Sequence, residues 1–216
     1  MRTLRALVLM ALLVCAGGLG ANPAALTRAE ALAALSHSEP QQRLAGVRRL
    51  AQIGTMDDAQ RLIGTLADAD EALRVITTAA VWQIWGRSGD RAIDELFARG
   101  IRQMEAAQLD DALITFSEIV RRKPDFAEGW NKRATVYFLL GRNFESLQDC
   151  DEVLKRNPHH FGALSGAGQI HLQLGNAQQA LEFVRRAFEV NPTLEGPAQM
   201  IPLLEQLLRD KGRNSI

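Results

Sequence analysis

The chain is poor in the residue types from which disulfide frameworks, metal sites and nucleic-acid surfaces are built. It has two cysteines and four histidines in 216 residues, and its 25 basic residues are matched by 25 acidic ones. This cysteine content excludes a disulfide framework, and without a basic block we expect neither nucleic acid nor an anionic membrane surface as a partner. No hydrophobic run approaches the roughly 20 residues of a spanning helix, so we predict no transmembrane segment in the mature chain.

Candidates for catalytic or metal chemistry are equally sparse. His159 and His160 follow Pro158 in a predicted turn, and no other ligand type lies at a familiar spacing around them. Asp149 and Asp151 flank a predicted core position and are expected to point away from it. No nucleophile, base and orienting group come together, so we expect no enzyme, no cofactor and no metal site.

The sequence does contain a period. Pro124, Pro158 and Pro192 stand 34 residues apart, and each follows a helix-length amphipathic stretch. Three kinds of position recur before each proline. The first holds a small residue, at Ala112, Ser146 and Ala180, and the next holds a leucine, at Leu113, Leu147 and Leu181. The third holds an apolar residue, at Phe116, Cys150 and Val184. A second small position recurs in the preceding helix: Gly100, Ala134 and Gly168. Because small residues let neighbouring helices approach closely, this pattern predicts stacked helical hairpins.

The middle unit carries the clearest spacing. Its marker residues are Trp130, Ala134, Tyr137, Gly141 and Pro158. With them the unit resembles the tetratricopeptide repeat, and the flanking units match less completely. The resemblance covers about 93–194, within a segment 90–194, and gives units at about 93–126, 127–160 and 161–194. It implies an all-α, right-handed helical-repeat solenoid that serves as a non-catalytic binding scaffold.

The turns inside the units need a residue able to take a positive φ. Gly141 and Gly175 stand there in the second and third units, whereas the first unit has Ala107. Asn143 and Asn176 follow as polar residues able to cap the next helix.

Upstream, a shorter period of 31 residues relates four pairs: Leu35 and Leu66, Arg43 and Arg74, Leu50 and Val81, Ile53 and Ile84. With an acidic turn before an arginine-containing helix, residues 27–87 resemble two HEAT-like repeats. We expect a segment at 22–89 that stacks on the solenoid. Trp82 and Trp85 lie at its end, where they either seal the junction core or form an exposed aromatic patch.

Residues 195–216 are predicted to form a capping helix and tail. The helix is amphipathic, and its charged residues are expected to face outward while its leucines cover the last repeat.

The first 21 residues resemble a bacterial export signal. Arg2 and Arg5 precede an apolar run, and we expect cleavage after Ala21. Cleavage there removes two arginines and no acidic residue, which leaves the mature chain with a net charge of about −2. Cys15 raises the alternative of a lipoprotein anchor, but Val14 stands where that pattern has Gly, Ala or Ser. The expected location is the periplasm.

In tetratricopeptide proteins the first helix of each repeat lines the groove. The resemblance therefore implies a peptide-binding groove formed by Phe97, Ile101, Met104, Asn131, Thr135, Phe138, Ser165, Gln169 and Leu172. Asn131 and Gln169 would hydrogen-bond an extended peptide, although upstream helices would cover the first three residues in an alternative arrangement. Lys132 and Asn131 alone fall near the positions of a carboxylate clamp, which disfavours that mode.

Two functions stay open at this stage. One is a periplasmic adaptor for an unidentified protein or peptide partner, and the other is an envelope protein that binds a glycan or lipid fragment. The oligomeric state is not specified by the sequence.

Overall fold

A computed structural model describes residues 25–213. The predicted export signal and Cys15 lie outside the described residues. Within residues 25–213 the chain forms eleven α-helices, one 3₁₀ turn and no β-strand, which confirms the all-α prediction. None of these helices combines the length and the apolar character that crossing a membrane requires.

The helices follow one another through short turns. Their bounds are α1 Arg28–Ala34, α2 Pro40–Ile53, α3 Met56–Ile63, α4 Glu71–Trp85, α5 Arg91–Glu105, α6 Leu109–Arg122, α7 Ala127–Leu139, α8 Asn143–Arg156, α9 Phe161–Gln173, α10 Ala177–Val190 and α11 Glu195–Arg213, with the 3₁₀ turn at Gly64–Ala67 after α3.

The three expected repeat units each contain one helical hairpin, namely α5 with α6, α7 with α8, and α9 with α10. Gly141 and Gly175 take φ values of 74° and 78° in the turns, and Ala107 takes 56° at the matching place. The capping prediction was wrong: neither Asn143 nor Asn176 forms a side-chain cap at the start of α8 or α10. The positive-φ turn alone redirects the chain there.

The recurring small residues sit where helices approach most closely. A Cβ atom added at Gly100 would lie 2.6 Å from Phe116 Cζ, and one at Gly168 would lie 2.6 Å from Val184 Cγ1. These distances are shorter than carbon atoms tolerate, so the first helix of each of these hairpins packs directly on the second. This confirms the predicted role of both positions.

The N-terminal part forms two further hairpins, α1 with α2 and α3 with α4. Arg43 Nη1 donates to the carbonyls five and six residues before it, and Arg74 Nη1 repeats this pattern. Arg43 also forms an ion pair with Asp68 at 2.9 Å. The equivalent arginines therefore fix the turn before each second helix, and Arg43 joins one hairpin to the next.

Helix α11 packs on α10 at the end of the array. Leu204 is buried against the last repeat, and Arg185 Nη2 of α10 lies 2.6 Å from Glu205 Oε1. Leu203 and Leu207, however, remain 66% and 40% exposed. The expectation of a charged outer face is thus only partly correct, because two leucines share that face.

Candidate functional site

A cleft of about 350 Å³ lies between α7 and α9, the first helices of the second and third repeats. Its lining includes five of the predicted groove residues: Asn131, Thr135, Phe138, Ser165 and Gln169. Ala134 and Leu139 of α7 and Gly162, Gly166 and Ile170 of α9 complete these two walls, and Ser146 and Cys150 of α8 lie behind them. Side chains on the same faces of stacked repeat helices have therefore come together as the period implies.

The other four predicted groove residues lie elsewhere. Phe97 packs edge-on against Phe116 and Phe126, with ring centroids 5.9 and 5.4 Å away, and Ile101 and Met104 join the same hydrophobic cluster. Leu172 is 38% exposed and does not line the cleft. The first repeat thus uses its apolar residues for its own core, and the cleft belongs to the second and third repeats.

Two of the polar cleft residues are already engaged. Asn131 is only 7% exposed, and its amide nitrogen donates to the Glu128 carboxylate at 3.1 and 3.2 Å. Thr135 Oγ1 donates to the Asn131 carbonyl at 2.9 Å. By contrast, Ser165 Oγ is buried without a hydrogen-bond partner among the described residues, and Gln169 is exposed. Ser165 and Gln169 are therefore the polar groups that the cleft offers to a ligand.

The rest of the cleft is apolar and chemically inert. Phe138 and Leu139 supply its apolar wall, and Leu139 is 52% exposed. Cys150 is buried, and burial, together with the charges of Asp149 and Asp151, raises the pKa of its thiol to about 12. A thiol in this state is neither a nucleophile nor a ready metal ligand at neutral pH. The cleft therefore has the composition of a binding surface.

The N-terminal hairpins pack against Gly162, which lines this cleft. A Cβ atom at Gly162 would overlap the Trp82 ring of α4, and Lys132 Nζ lies 5.4 Å from the centroid of that ring. Trp85, one turn further along α4, is 2% exposed and packs against Phe161. The junction-core interpretation of the two tryptophans is confirmed, since both belong to the buried contact with the third repeat.

A buried polar network next to the cleft is absent from the sequence-based predictions. His160 is fully buried, and its Nδ1 accepts the Ala163 N–H at 3.1 Å. The proton therefore resides on Nε2, which donates to Glu128 Oε2 at 2.9 Å. Burial acts to raise the pKa of Glu128, but His160 and Lys132 hold it below its usual value. The sequence shows His160 only as a turn residue, and no spacing rule links it to Glu128.

Asp149 also departs from expectation. The prediction that it points away from the core was wrong: it is 3% exposed and forms two hydrogen bonds of 2.7 Å with Arg133. Burial raises the pKa of Asp149 above its usual value, although Arg133 acts in the opposite direction. This pair joins α8 to α7 and lies outside the cleft lining.

Residues 25–213 contain no group of three or more His, Cys, Asp or Glu side chains arranged to hold a metal ion.

The repeats are similar to those of known sequences. The sequence profile described as Tetratricopeptide repeat matches residues 97–154 and 145–192. Residues 97–192 are thus similar to tetratricopeptide repeats. A TPR repeat-containing protein of Rhizobium etli is 34% identical over 124 residues, which cover 57% of this chain and 61% of that protein. Human DnaJ homolog subfamily C member 3 is 28% identical over 121 residues, which cover 54% of this chain and 24% of that protein. The chain thus spans less than two thirds of the length of either relative.

The fold of the tetratricopeptide repeats is also found among solved structures. The first TPR of Spaghetti (RPAP3), bound to the HSP90 peptide SRMEEVD, superposes with a TM-score of 0.53 at 20% identity. The match covers 54% of this chain and 93% of that domain. At this identity the likeness concerns the fold, and it confirms the helical-repeat solenoid.

Proposed function

We propose that this chain is a non-catalytic periplasmic adaptor whose tetratricopeptide repeats hold a protein or peptide segment in the cleft between α7 and α9. One observation carries the proposal: an apolar wall faces a buried hydroxyl that has no hydrogen-bond partner among residues 25–213, and an exposed amide. Phe138 and Leu139 supply the wall, while Ser165 and Gln169 supply the polar groups.

This arrangement suits a peptide segment with an apolar side chain. The ring of Phe138 and the side chain of Leu139 would bury that side chain, which is where most of the binding free energy of a small interface arises. Ser165 and Gln169 would hydrogen-bond the peptide backbone. Because the cleft holds only about 350 Å³, it fits a short segment and leaves a folded domain outside.

The solved complex of the Spaghetti domain supports a peptide as the class of occupant. We do not extend the acidic character of that peptide to the occupant of this cleft. Lys132 is the cation nearest to a carboxylate-clamp position, and its Nζ already forms an ion pair with Glu128 Oε1 at 3.0 Å. We therefore favour an uncharged, apolar segment over an acidic chain end.

The proposed location rests on residues 1–21. Arg2, Arg5 and the apolar run after them support export, and the poor match around Cys15 makes a membrane-anchored lipoprotein the second choice. Mass spectrometry of the protein from cell envelope fractions tests both. A mature chain beginning at Asn22 supports the proposal, whereas a lipid-modified Cys15 contradicts it.

A small-molecule ligand is the second candidate, because about 350 Å³ also lies at the lower end of the range for small-ligand sites. The ligand would be a glycan or lipid fragment of the envelope. Thermal unfolding in the presence of such fragments separates the two functions, since only the second predicts a saturable rise in Tm.

Site-specific photocrosslinking in intact cells tests the adaptor function. A photoreactive residue at Gln169 places the reactive group in the cleft, whereas one at Phe144, which is 73% exposed on α8, places it outside. We expect one reproducible adduct from position 169 and none of the same mass from position 144.

A matched pair of substitutions then assigns that adduct to the cleft. Phe138→Asp introduces a charge into the apolar wall and should abolish the adduct, while Phe144→Asp makes the same change on exposed surface and should leave it intact. Retention of the adduct in Phe138→Asp would show that the contact surface lies elsewhere.

A further inference from the structure

A second cavity, of about 120 Å³, lies where the N-terminal hairpins meet the first two repeats. Trp85, Arg87 and Ser88 line it from the N-terminal side. Glu128, Asn157 and His160 line it from the repeats. This cavity is separate from the α7–α9 cleft and shares no lining residue with it.

Three buried nitrogen atoms of this lining have no hydrogen-bond partner among the described residues. They are Trp85 Nε1, Arg87 Nη2 and Asn157 Nδ2. Trp85 is 2% exposed and Asn157 is 1% exposed, so these two donors lie away from the outer surface of the protein. All three are donors, and a buried donor without an acceptor destabilises the folded state. All three residues line the same cavity, which therefore suits a ligand that accepts hydrogen bonds.

The charges around the cavity indicate the sign of that ligand. Arg87 Nη1 donates to the Gly54 carbonyl at 3.0 Å, which fixes the guanidinium, and the ion pairs of the described residues do not include Arg87. The one carboxylate deep in the wall, Glu128, is already balanced by Lys132 at 3.0 Å and hydrogen-bonded by His160. One positive charge therefore remains without a counterion, which favours an anion.

We propose that this cavity binds one small carboxylate, which accepts hydrogen bonds from Trp85, Arg87 and Asn157. A carboxylate is a planar monoanion with lone pairs for several donors, and a guanidinium recognises it well. A phosphate dianion is disfavoured because the Glu128 carboxylate lies in the same wall. Since Trp85 and Arg87 precede the repeats and Asn157 is the C-cap residue of α8, the bound anion joins the N-terminal hairpins to the solenoid.

The rim of the cavity gives a small ligand access. Met56 is 41% exposed, and the Asp125 side chain, which pairs with Lys123 at 3.8 Å, is 78% exposed. The proposal does not depend on what occupies the α7–α9 cleft.

The indole N–H signals of the tryptophans provide a direct test. Acetate is titrated into the ¹⁵N-labelled protein at constant ionic strength, with chloride as the balancing anion. We expect the Trp85 indole signal to shift and to saturate with acetate. Trp130 Nε1 already donates to the Pro124 carbonyl at 2.9 Å, so its signal is the internal control and should stay in place. A Trp85 shift that rises linearly without saturation would overturn the proposal and leave water as the occupant.

Substitutions at Trp85 and Arg87 test whether these two donors bind acetate. Trp85→Phe assigns the resonance and removes one donor while keeping most of the ring, so acetate binding, measured by the shift of Tm, should weaken at least about tenfold. Arg87→Met should abolish it. Arg91→Met removes the same charge from a side chain that is 93% exposed and should leave acetate binding unchanged. Equal acetate responses in the two arginine variants would contradict the proposed site.

Inorganic phosphate serves as the second probe. We expect no saturable shift at Trp85 with phosphate. Saturation with phosphate but not acetate would overturn the carboxylate assignment.

Discussion

The His160 imidazole lies nearly parallel to the Trp85 indole, with ring centroids 4.3 Å apart and an angle of 19° between the planes. Trp85 ends the last helix of the N-terminal hairpins, and His160 caps the first helix of the third repeat. Because both rings are buried, this contact makes the N-terminal hairpins part of the same packed body as the repeats.

Replacement of Trp85 by alanine tests this junction. Truncation of a buried aromatic side chain costs about 3–5 kcal/mol, and we expect faster amide hydrogen exchange in α4 and at the start of α9. Phe144→Ala, at a side chain that is 73% exposed, is the control and should change the free energy of unfolding by less than about 0.5 kcal/mol. Unchanged exchange at the start of α9 would contradict a shared core.

The Glu128 network predicts a specific acid sensitivity. The pKa of Glu128 is lower in the folded protein than its ordinary value of 4.5. Its stabilisation is therefore fully present above about pH 4.5 and is lost as the pH falls through the folded-state pKa. Glu128→Gln should lower the free energy of unfolding at pH 7 by about 3 kcal/mol, because His160 and Lys132 lose their buried anion.

Urea unfolding between pH 7 and pH 3 measures both effects. Glu128→Gln should flatten the loss of stability below about pH 4.5, whereas Glu95→Gln, at a side chain that is 66% exposed, should follow the original protein. An equally steep acid transition in Glu128→Gln would exclude this carboxylate as its source.

Two glycines of α9 should respond oppositely to alanine. At Gly168 the added methyl group meets Val184 and should cost about 1–3 kcal/mol, while at Gly166 it meets nothing within 4 Å and should stabilise the helix by up to about 1 kcal/mol. Gly168→Ala should cost less stability in a Val184→Ala background than in the original protein, because the smaller side chain leaves room for the added methyl group. Chemical denaturation gives all four values, and equal effects at both glycines would contradict the close helix contact.

The turn at Ala107 offers a stabilising substitution. Ala107 holds a φ of 56°, where glycine occurs in the other two repeats. A left-handed conformation costs a non-glycine residue about 1–2 kcal/mol, so Ala107→Gly should raise the free energy of unfolding by about 0.5–1 kcal/mol after the greater freedom of the unfolded chain is subtracted. Gly141→Ala, at a φ of 74°, should lower it. A loss of stability in Ala107→Gly would contradict this assignment of strain.

The thiol of Cys150 should react only when the repeats open. Its pKa rises from 9.0 to about 12, so the thiolate fraction at pH 8 falls roughly a thousandfold. In a Cys15→Ser background, iodoacetamide should modify the folded protein at least about a thousandfold more slowly than the urea-unfolded protein. Comparable rates in the two states would contradict the burial of the thiol.

The repeat period predicted the hairpins and the close contacts at Gly100 and Gly168 because each repeat packs on its neighbours in the same way. The same regularity places Phe138, Ser165 and Gln169 in one cleft. Phe97 was misplaced because the period does not show which partner a helix face receives, and Phe97 packs against Phe116 and Phe126.

The polar contacts were harder to predict. Asp149 lies next to a core position, but α8 is covered by α7 as well, and Arg133 meets it there. The pairing of Glu128 with His160 joins the starts of two successive first helices, so it becomes visible only once the helices are stacked. A single sequence shows the repeat period of the helices. Polar contacts between repeats depend instead on side-chain positions in three dimensions.

A Cβ atom at position 162 would overlap the Trp82 ring, which links the evolution of the two parts of the chain. Position 162 has no room for a side chain while the indole stays in place, and position 82 can hold an indole only opposite glycine. A natural relative with alanine or a larger residue at position 162 must therefore carry a smaller residue at position 82 or hold α4 farther from the repeats. The contact between α4 and the start of α9 is thus inherited as a pair of positions.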